Sequence, residues 1–387
     1  MLVYRKDDKL LQIEQRARGL LTIVVQAYKN FPKTKACVEH VLKYADSIPH
    51  QLLLVDNGSP EPEILEFYLS VSHPNKKVVR IAKNESSIKG SNAVIPWIDT
   101  KYFLLVASDV YLTPRCVENL LACAESDARI GMVSPVSTNT GHAQQEDLGG
   151  FTDDADMIAK AAKFNHRDER LWDERMMLVP TAVLYKREVF DRVGLYDADY
   201  LHDYGDDDLS FRIRRGGYKL MLCRDTFVHH DHLPSERETP EAKAKYEAGR
   251  EMFQKKFYGL DAWDDTKPLG AALQKVDREE TRTAKKILVV EPRCGTPLLD
   301  IKNYYRRQEI FDVEAYAFAT EGKYYTDLRS LTEHVVIDRL AFLAEHYQAE
   351  SFDFAAICQP LAEMPEGAEV KEAVRRLVKK DGVLLTL

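Results

Sequence analysis

Four short apolar runs in the first 110 residues each break abruptly into a polar loop, and that repeated break limits what the chain can become. The runs are Leu20–Val25, Gln51–Val55, Lys77–Ile81 and Phe103–Val106. The last is the sharpest. Four large apolar residues in a row suit a strand covered on both faces, and the polarity then flips to Ala107-Ser108-Asp109. Thr113-Pro114 comes next, which reads as a helix start with Thr as N-cap and Pro at the first helical position. Between the runs, residues 32–44 carry Ala36, Val38, Val41 and Leu42 at helical spacing, and 63–71 form a second short helix. Strand, helix, strand with polar carboxyl ends predicts a parallel α/β sheet. Ligands of such sheets bind outside the carboxyl ends of the strands. The loops expected there are Gln26-Ala27-Tyr28-Lys29-Asn30, Asp56–Pro60, Asn84–Asn92 and Ala107–Asp109. They offer the side chains a phosphorylated, sugar-bearing ligand requires.

Charge and cysteine usage narrow the partners. Lys+Arg 54 against Asp+Glu 62 gives a net charge of −8, without the basic excess of a nucleic-acid binder. The six cysteines, at 37, 116, 123, 223, 294 and 358, make no CxxC pair and no zinc spacing. They read as small buried hydrophobes in a reducing compartment. No signal-peptide layout opens the chain and no apolar run approaches the ~20 residues that cross a bilayer. A cytoplasmic protein is the expectation, with peripheral contact at the inner face of a membrane left open, and oligomeric state undetermined. A length of 387 residues suits two domains.

Further along, residues 137–170 read as a long irregular polar stretch, of the kind that is more often functional than padding. Residues 176–194 read as strand then helix. The run Tyr204-Gly205-Asp206-Asp207-Asp208-Leu209 opens another helix. Three aspartates at a helix start are favoured by its dipole. They also repel one another, which a nearby cation or a proton-transfer role would offset. After the strand at 220–223 come His229, His230 and His232 within four positions, a candidate source of metal ligands.

From about Leu20 to Trp263 these segments resemble the family 2 glycosyltransferases of the GT-A fold. The resemblance rests on Leu54-Val-Asp56-Asn-Gly-Ser59, Asn84 through Asn92, Leu104 through Pro114, Lys186 through Asp197, Asp206 through Arg212, and Val228-His229-His230, in that order. It implies a nucleotide-diphosphate sugar donor, UDP or dTDP, and a glycan, lipid-linked or protein acceptor. It further implies Mn2+ or Mg2+ and inversion at the anomeric carbon. By residue, Asp56 matches the carboxylate that binds the base, and Gln26, Ala27, Tyr28 and Asn30 match the segment along the nucleoside. Lys89, Asn92 and Ser108 fall in the matching donor loops. Asp109 matches the metal-holding acid of the DxD-type motif, with His229 or His230 completing the site. Asp206 or Asp207 matches the catalytic base. Two positions depart from the pattern: Ala107 stands where an acid or Asn is usual, and Gly205 where Glu is usual. A non-catalytic nucleotide-sugar or glycan-binding protein is the alternative from another class.

The assignment along the chain is therefore a GT-A domain over 1–263, a linker over 264–284, and a smaller Rossmann-like α/β domain over 285–387. In the last, Glu291-Pro-Arg293-Cys-Gly295-Thr-Pro297 resembles the cofactor loop of S-adenosylmethionine methyltransferases. Arg293 and Pro297 replace two of its glycines, where a side chain obstructs close approach of a cofactor. A non-catalytic domain is expected, with an active methyltransferase served by a glycan-recruiting N-terminal half as its rival.

Overall fold

The computed structural model describes residues 2–3, 19–141, 143–200, 203–232, 239–276 and 285–387. The charged, mildly amphipathic start of the chain suggests a helix over Leu10, Leu11 and Ile13; that stretch, and the 277–284 part of the expected linker, lie outside the described residues. Two compact units are present: residues 1–172 with 177–249, and residues 173–176 with 250–387.

In chain order the first unit contains β1 (Leu2–Val3), β2 (Leu21–Ala27), α1 (Phe31–Tyr44), β3 (His50–Asp56), α2 (Pro62–Ser70), β4 (Lys76–Arg80), α3 (Ser87–Val94), β5 (Tyr102–Ala107) and β6 (Val110–Tyr111). It continues through α4 (Cys116–Ser126), β7 (Ile130–Ser137) and α5 (Asp154–Phe164). Beyond the short β8 (Trp172–Arg175), whose residues 173–175 belong to the second unit, the first unit resumes with β9 (Ala182–Lys186), α6 (Glu188–Val193), α7 (Gly205–Arg215) and β10 (Lys219–His230). The strand order β1-β4-β3-β2-β5-β9-β7-β10-β6 makes a mixed sheet. Its left half, β1 to β5, is parallel throughout. The antiparallel insertion of β9 between β5 and β7 is the main departure.

Apolar patterning explains the sheet's burial. Ile23, Val25, Leu52, Leu54, Leu104 and Val106 are essentially inaccessible and join Val38 and Val41 of α1 and Leu120 of α4 in one core. Each such side chain contributes roughly 1.5–3 kcal/mol on burial. Two expectations differ in detail. The stretch 137–170 is not wholly irregular, because Asp153 caps α5 by accepting from Asp156 N at 2.9 Å, and Met157 and Ala161 bury one helix face. Thr113 does not cap α4, which starts at Cys116 behind Arg115. The Thr113 hydroxyl is committed to Phe227 O and also accepts from Asn165 Nδ2 at 2.9 Å, which pins the loop to β10 instead.

The chain passes into the second unit within α8 (Pro240–Lys256), at 249/250, and Asp261 and Asp265 tie residues 250–266 into it. Asp261 accepts from Gln254 Nε2 at 3.0 Å, and Asp265 accepts from Tyr324 OH at 2.7 Å. The remaining elements are β11 (Lys285–Val290), α9 (Thr296–Arg306), β12 (Val313–Ala319), α10 (Tyr325–Leu331), β13 (His334–Ile337), β14 (Phe352–Ile357), α11 (Gly367–Leu377) and β15 (Val378–Thr386). Every pairing in the order β13-β12-β11-β14-β15 is parallel, and the crossover order reverses at β11, the usual ligand crevice of a doubly wound sheet.

Candidate active site

Parallel register brings three loop systems of the first unit to one rim. Ala27 pairs with Asp56 and Gln26 with Ala107, so the carboxyl ends of β3, β2 and β5 lie side by side. The N-terminal turn of α3 closes over them. Gln26 Nε2 donates to Ser87 O at 3.0 Å, Gln26 Oε1 accepts from Ser91 Oγ at 3.0 Å, and Asn57 Nδ2 donates to Ser86 O at 3.0 Å. Gly90 is required by this approach, since a Cβ there would lie 2.7 Å from Gln26 Nε2 and 2.8 Å from the Asn57 amide. Asp56 is fully buried. One carboxylate oxygen accepts from Ser59 N at 2.8 Å, the other from Arg80, whose guanidinium also donates to Ser59 O at 3.1 Å. Its charge is thus compensated and its plane fixed.

Other expected donor residues sit differently. Tyr28 is exposed, Lys29 and Asn30 adopt left-handed backbone, and Asn30 caps α1. Lys89 is exposed and pairs with Glu85 at 3.2 Å. Asn92 is a brace: its amide donates to Tyr196 O at 2.8 Å and accepts from Tyr196 N at 3.0 Å. Ser108 occupies the turn between β5 and β6 beside Asp109.

Asp109 meets the histidines through a change of strand direction. The end of β10 pairs antiparallel with β6, His230 opposite Val110, and Asp231 N donates to Asp109 O at 2.8 Å. His230 Nε2 lies 3.6 Å and His232 Nδ1 3.8 Å from Asp109 Oδ2. The two rings stack, centroids 5.2 Å apart at 15°. Ligand atoms of these three half-buried residues lie within 4.8 Å of one another. Burial works against ionisation of Asp109, but the His230 hydrogen bond and the charges of His230 and His232 outweigh it and hold the carboxyl below its usual range.

The same alternation turns His229 to the opposite face. Its Nδ1 lies 3.0 Å from Thr138 Oγ1, and its ring meets Phe151 edge-on at 5.6 Å. Burial lowers its pKa. His232, not His229, therefore joins His230 at Asp109. Period-two alternation puts residues 230 and 232 on one face, but which face meets Asp109 is set by the pairing of β10 with β6.

The chemistry of this trio calls for a positive species. His230 Nδ1 lies 3.1 Å from Asn139 O, a carbonyl that can only accept, so Nδ1 carries a proton. Its Nε2 faces the Asp109 carboxylate, where it either donates a proton or offers its lone pair to a cation. His232 Nε2 is buried without a hydrogen-bond partner. A cation held by the carboxylate and one nitrogen of each imidazole fits this donor set.

The acidic helix start lies against α3. A Cβ on Gly205 would come 2.4 Å from Ile88 Cδ1, which explains glycine there in physical terms. The three aspartates then separate by environment. Asp208 is fully buried and accepts from Arg212 Nε at 2.8 Å, while Asp207 is 4% exposed. Asp206 is the more accessible of the three. It lies by the hydrogen-bonded hydroxyls of Tyr185 and Tyr196, 2.6 Å apart, whose pKa values are raised by burial first and by the charge of Asp206 in addition.

In the second unit, the loop after β11 is filled from its own side. Cys294 N donates to Asp265 O at 3.0 Å, and Arg293 donates to Asp264 O. Glu291 is buried and accepts from Thr320 N at 2.8 Å; burial raises its pKa.

Residues 22–194 match the model of glycosyl transferase family 2. A curated relative, the uncharacterized protein y4gI of Sinorhizobium fredii (strain NBRC 101917 / NGR234), is 23% identical over 270 residues, 67% of this chain. The chain spans 30% of that relative's length. Among solved structures, GalNAc-T7 with UDP, GalNAc and Mn2+ is similar with a TM-score of 0.48 and 16% identity, over 65% of this chain and 50% of that one. The mannosyltransferase PcManGT of Pyrobaculum calidifontis with GDP-Man and Mn2+ gives a TM-score of 0.43 and 13% identity, over 80% and 73%. The mostly parallel mixed sheet of the first unit accords with the GT-A architecture of the matched family.

Proposed function

We propose, from the match of residues 22–194 to the model of glycosyl transferase family 2, that the protein transfers a sugar from a nucleoside-diphosphate donor to a hydroxyl acceptor with inversion. The observation that carries the reading is the meeting of Asp109, His230 and His232 at the β6–β10 junction, next to the turn after β5. Two imidazoles and one carboxylate leave coordination positions open for diphosphate oxygens, and imidazole nitrogen favours Mn2+ over the harder Mg2+. When bound, the cation neutralises charge developing on the departing diphosphate.

The chain's own residues do the rest. Asp56, oriented by Arg80 and Ser59, accepts from the imide N–H of a uracil or thymine base once the loops that bury it open to admit the donor. Gln26 and Asn57 hold the α3 turn against the donor, and Tyr28 lies over the nucleoside. Asp206 accepts the acceptor's hydroxyl proton as the new bond forms. It is preferred to Asp207 because Asp207 is buried. The acceptor is a glycan, a lipid-linked sugar or a protein.

A thermal-shift series tests this reading. Among UDP-, dTDP- and GDP-sugars with and without Mn2+, a UDP- or dTDP-sugar should stabilise the protein by about 2.7 kcal/mol at a hundredfold excess over Kd, and only with Mn2+ present. No shift with any donor would count against it.

The second unit is read as non-catalytic, serving acceptor binding or assembly. Asp265 O takes the Cys294 N–H and Asp264 O takes the Arg293 side chain in the loop where a cofactor would approach. Calorimetric titration of the full chain with S-adenosylmethionine should give no binding heat; tight binding would restore the methyltransferase reading.

A further inference from the structure

We propose that Asp231 is a positioning residue for the metal site, held by Lys33 and Tyr111 so that the imidazoles on either side of it face Asp109. The inference rests on the reading of Asp109, His230 and His232 as that site.

Asp231 stands between the two imidazoles in sequence, yet its carboxylate is not part of their cluster. Oδ2 accepts from Tyr111 OH at 2.9 Å, and Oδ1 lies 3.3 Å from Lys33 Nζ. Lys33 also donates to the Asp231 carbonyl. The Asp231 N–H donates to Asp109 O at 2.8 Å. All the polar groups of one residue are thereby engaged, from α1, from β6 and from the turn that carries Asp109.

This matters because β10 ends at His230. Past that point no sheet ladder sets the course of the backbone, and His232 depends on residue 231 for its direction. In extended chain, successive side chains alternate. Holding the side chain of 231 toward Lys33 and Tyr111 turns 230 and 232 together to the other side, where their rings stack. The Lys33 and Asp231 side chains are 27% and 39% exposed. An ion pair this open adds little to folding stability, so its effect should be read on the site.

Supporting residues around metal ligands change affinity by roughly 10–100-fold. Mn2+ titration of the full chain without donor, monitored by calorimetry, is the test, with the melting temperature of the metal-free protein as the folding control. Asp231→Ala should weaken Mn2+ binding by about 10–100-fold and shift the visible absorption of a Co2+ substitute, with the metal-free melting temperature unchanged. Lys33→Met decides between position and charge. It removes a positive charge beside a cation site, so charge alone would tighten Mn2+ binding, whereas loss of the clamp weakens it. The expected result is weaker binding in both variants. Unchanged binding in Asp231→Ala, or unchanged or tighter binding in Lys33→Met, would overturn the proposal. A wild-type protein that binds no Mn2+ would instead sink the metal-site reading itself.

Discussion

Replacing Asp109 with alanine is expected to abolish measurable Mn2+ binding and to lower sugar transfer by at least about a thousandfold, on the order of 4 kcal/mol of transition-state stabilisation. Among the described residues Asp109 is the sole carboxylate of its cluster, with His230 and His232 as the other members. Its removal leaves two imidazoles and no anionic anchor for a divalent ion. Ala107 offers nothing in its place, because a methyl group stands where a second polar ligand would be usual in this family. His230→Ala and His232→Ala should each cost less, since either leaves the carboxylate and one ring. His229→Ala should leave Mn2+ affinity close to wild type, because that ring faces Thr138 and Phe151. Calorimetric titration of the four variants with Mn2+ checks the order, and a His229→Ala loss as large as that of Asp109→Ala would reject the assignment.

The second large effect concerns the proton. Asp206→Asn removes a base while keeping size and polarity, and should lower the turnover rate by about 10²–10⁴-fold with Mn2+ and donor affinities retained. A drop in kcat with KM preserved is the signature of an interaction used only in the transition state. Asp207→Asn carries a different expectation. Its carboxylate is 4% exposed, so the variant should lose melting temperature more than turnover. Steady-state kinetics on both variants distinguish the two carboxylates. Collapse of kcat in Asp207→Asn alone, with a normal melting temperature, would move the base by one residue.

Much of the site was legible because the fold repeats a simple unit. Phe103 to Val106 reads as a doubly covered strand, and parallel pairing then sets the loop at its carboxyl end beside those of β2 and β3. Asp56, Gln26 and Asp109 are located by that logic. Four things were not legible, each for a physical reason. Choosing His232 over His229 required knowing that the end of β10 turns antiparallel to β6, a long-range pairing invisible in local pattern. Arg80, the partner of Asp56, lies 24 residues away on an adjacent strand. The roles of Gly90 and Gly205 depend on close approaches between elements, to Gln26 and Asn57 and to Ile88. The helix inside 137–170 was hidden by polar composition, though Asp153 at its start is an ordinary cap.

Metal-dependent release of nucleoside diphosphate probes the proposed chemistry most directly. With the UDP- or dTDP-sugar that stabilises the protein, wild-type enzyme and Mn2+ should release diphosphate above the buffer rate. EDTA should reduce release to background, excess Mn2+ should restore it more fully than Mg2+, and Asp109→Ala should stay at background throughout. Release that persists in EDTA and in Asp109→Ala, or donor binding with no release under any condition, would contradict a metal-assisted transferase centred on Asp109.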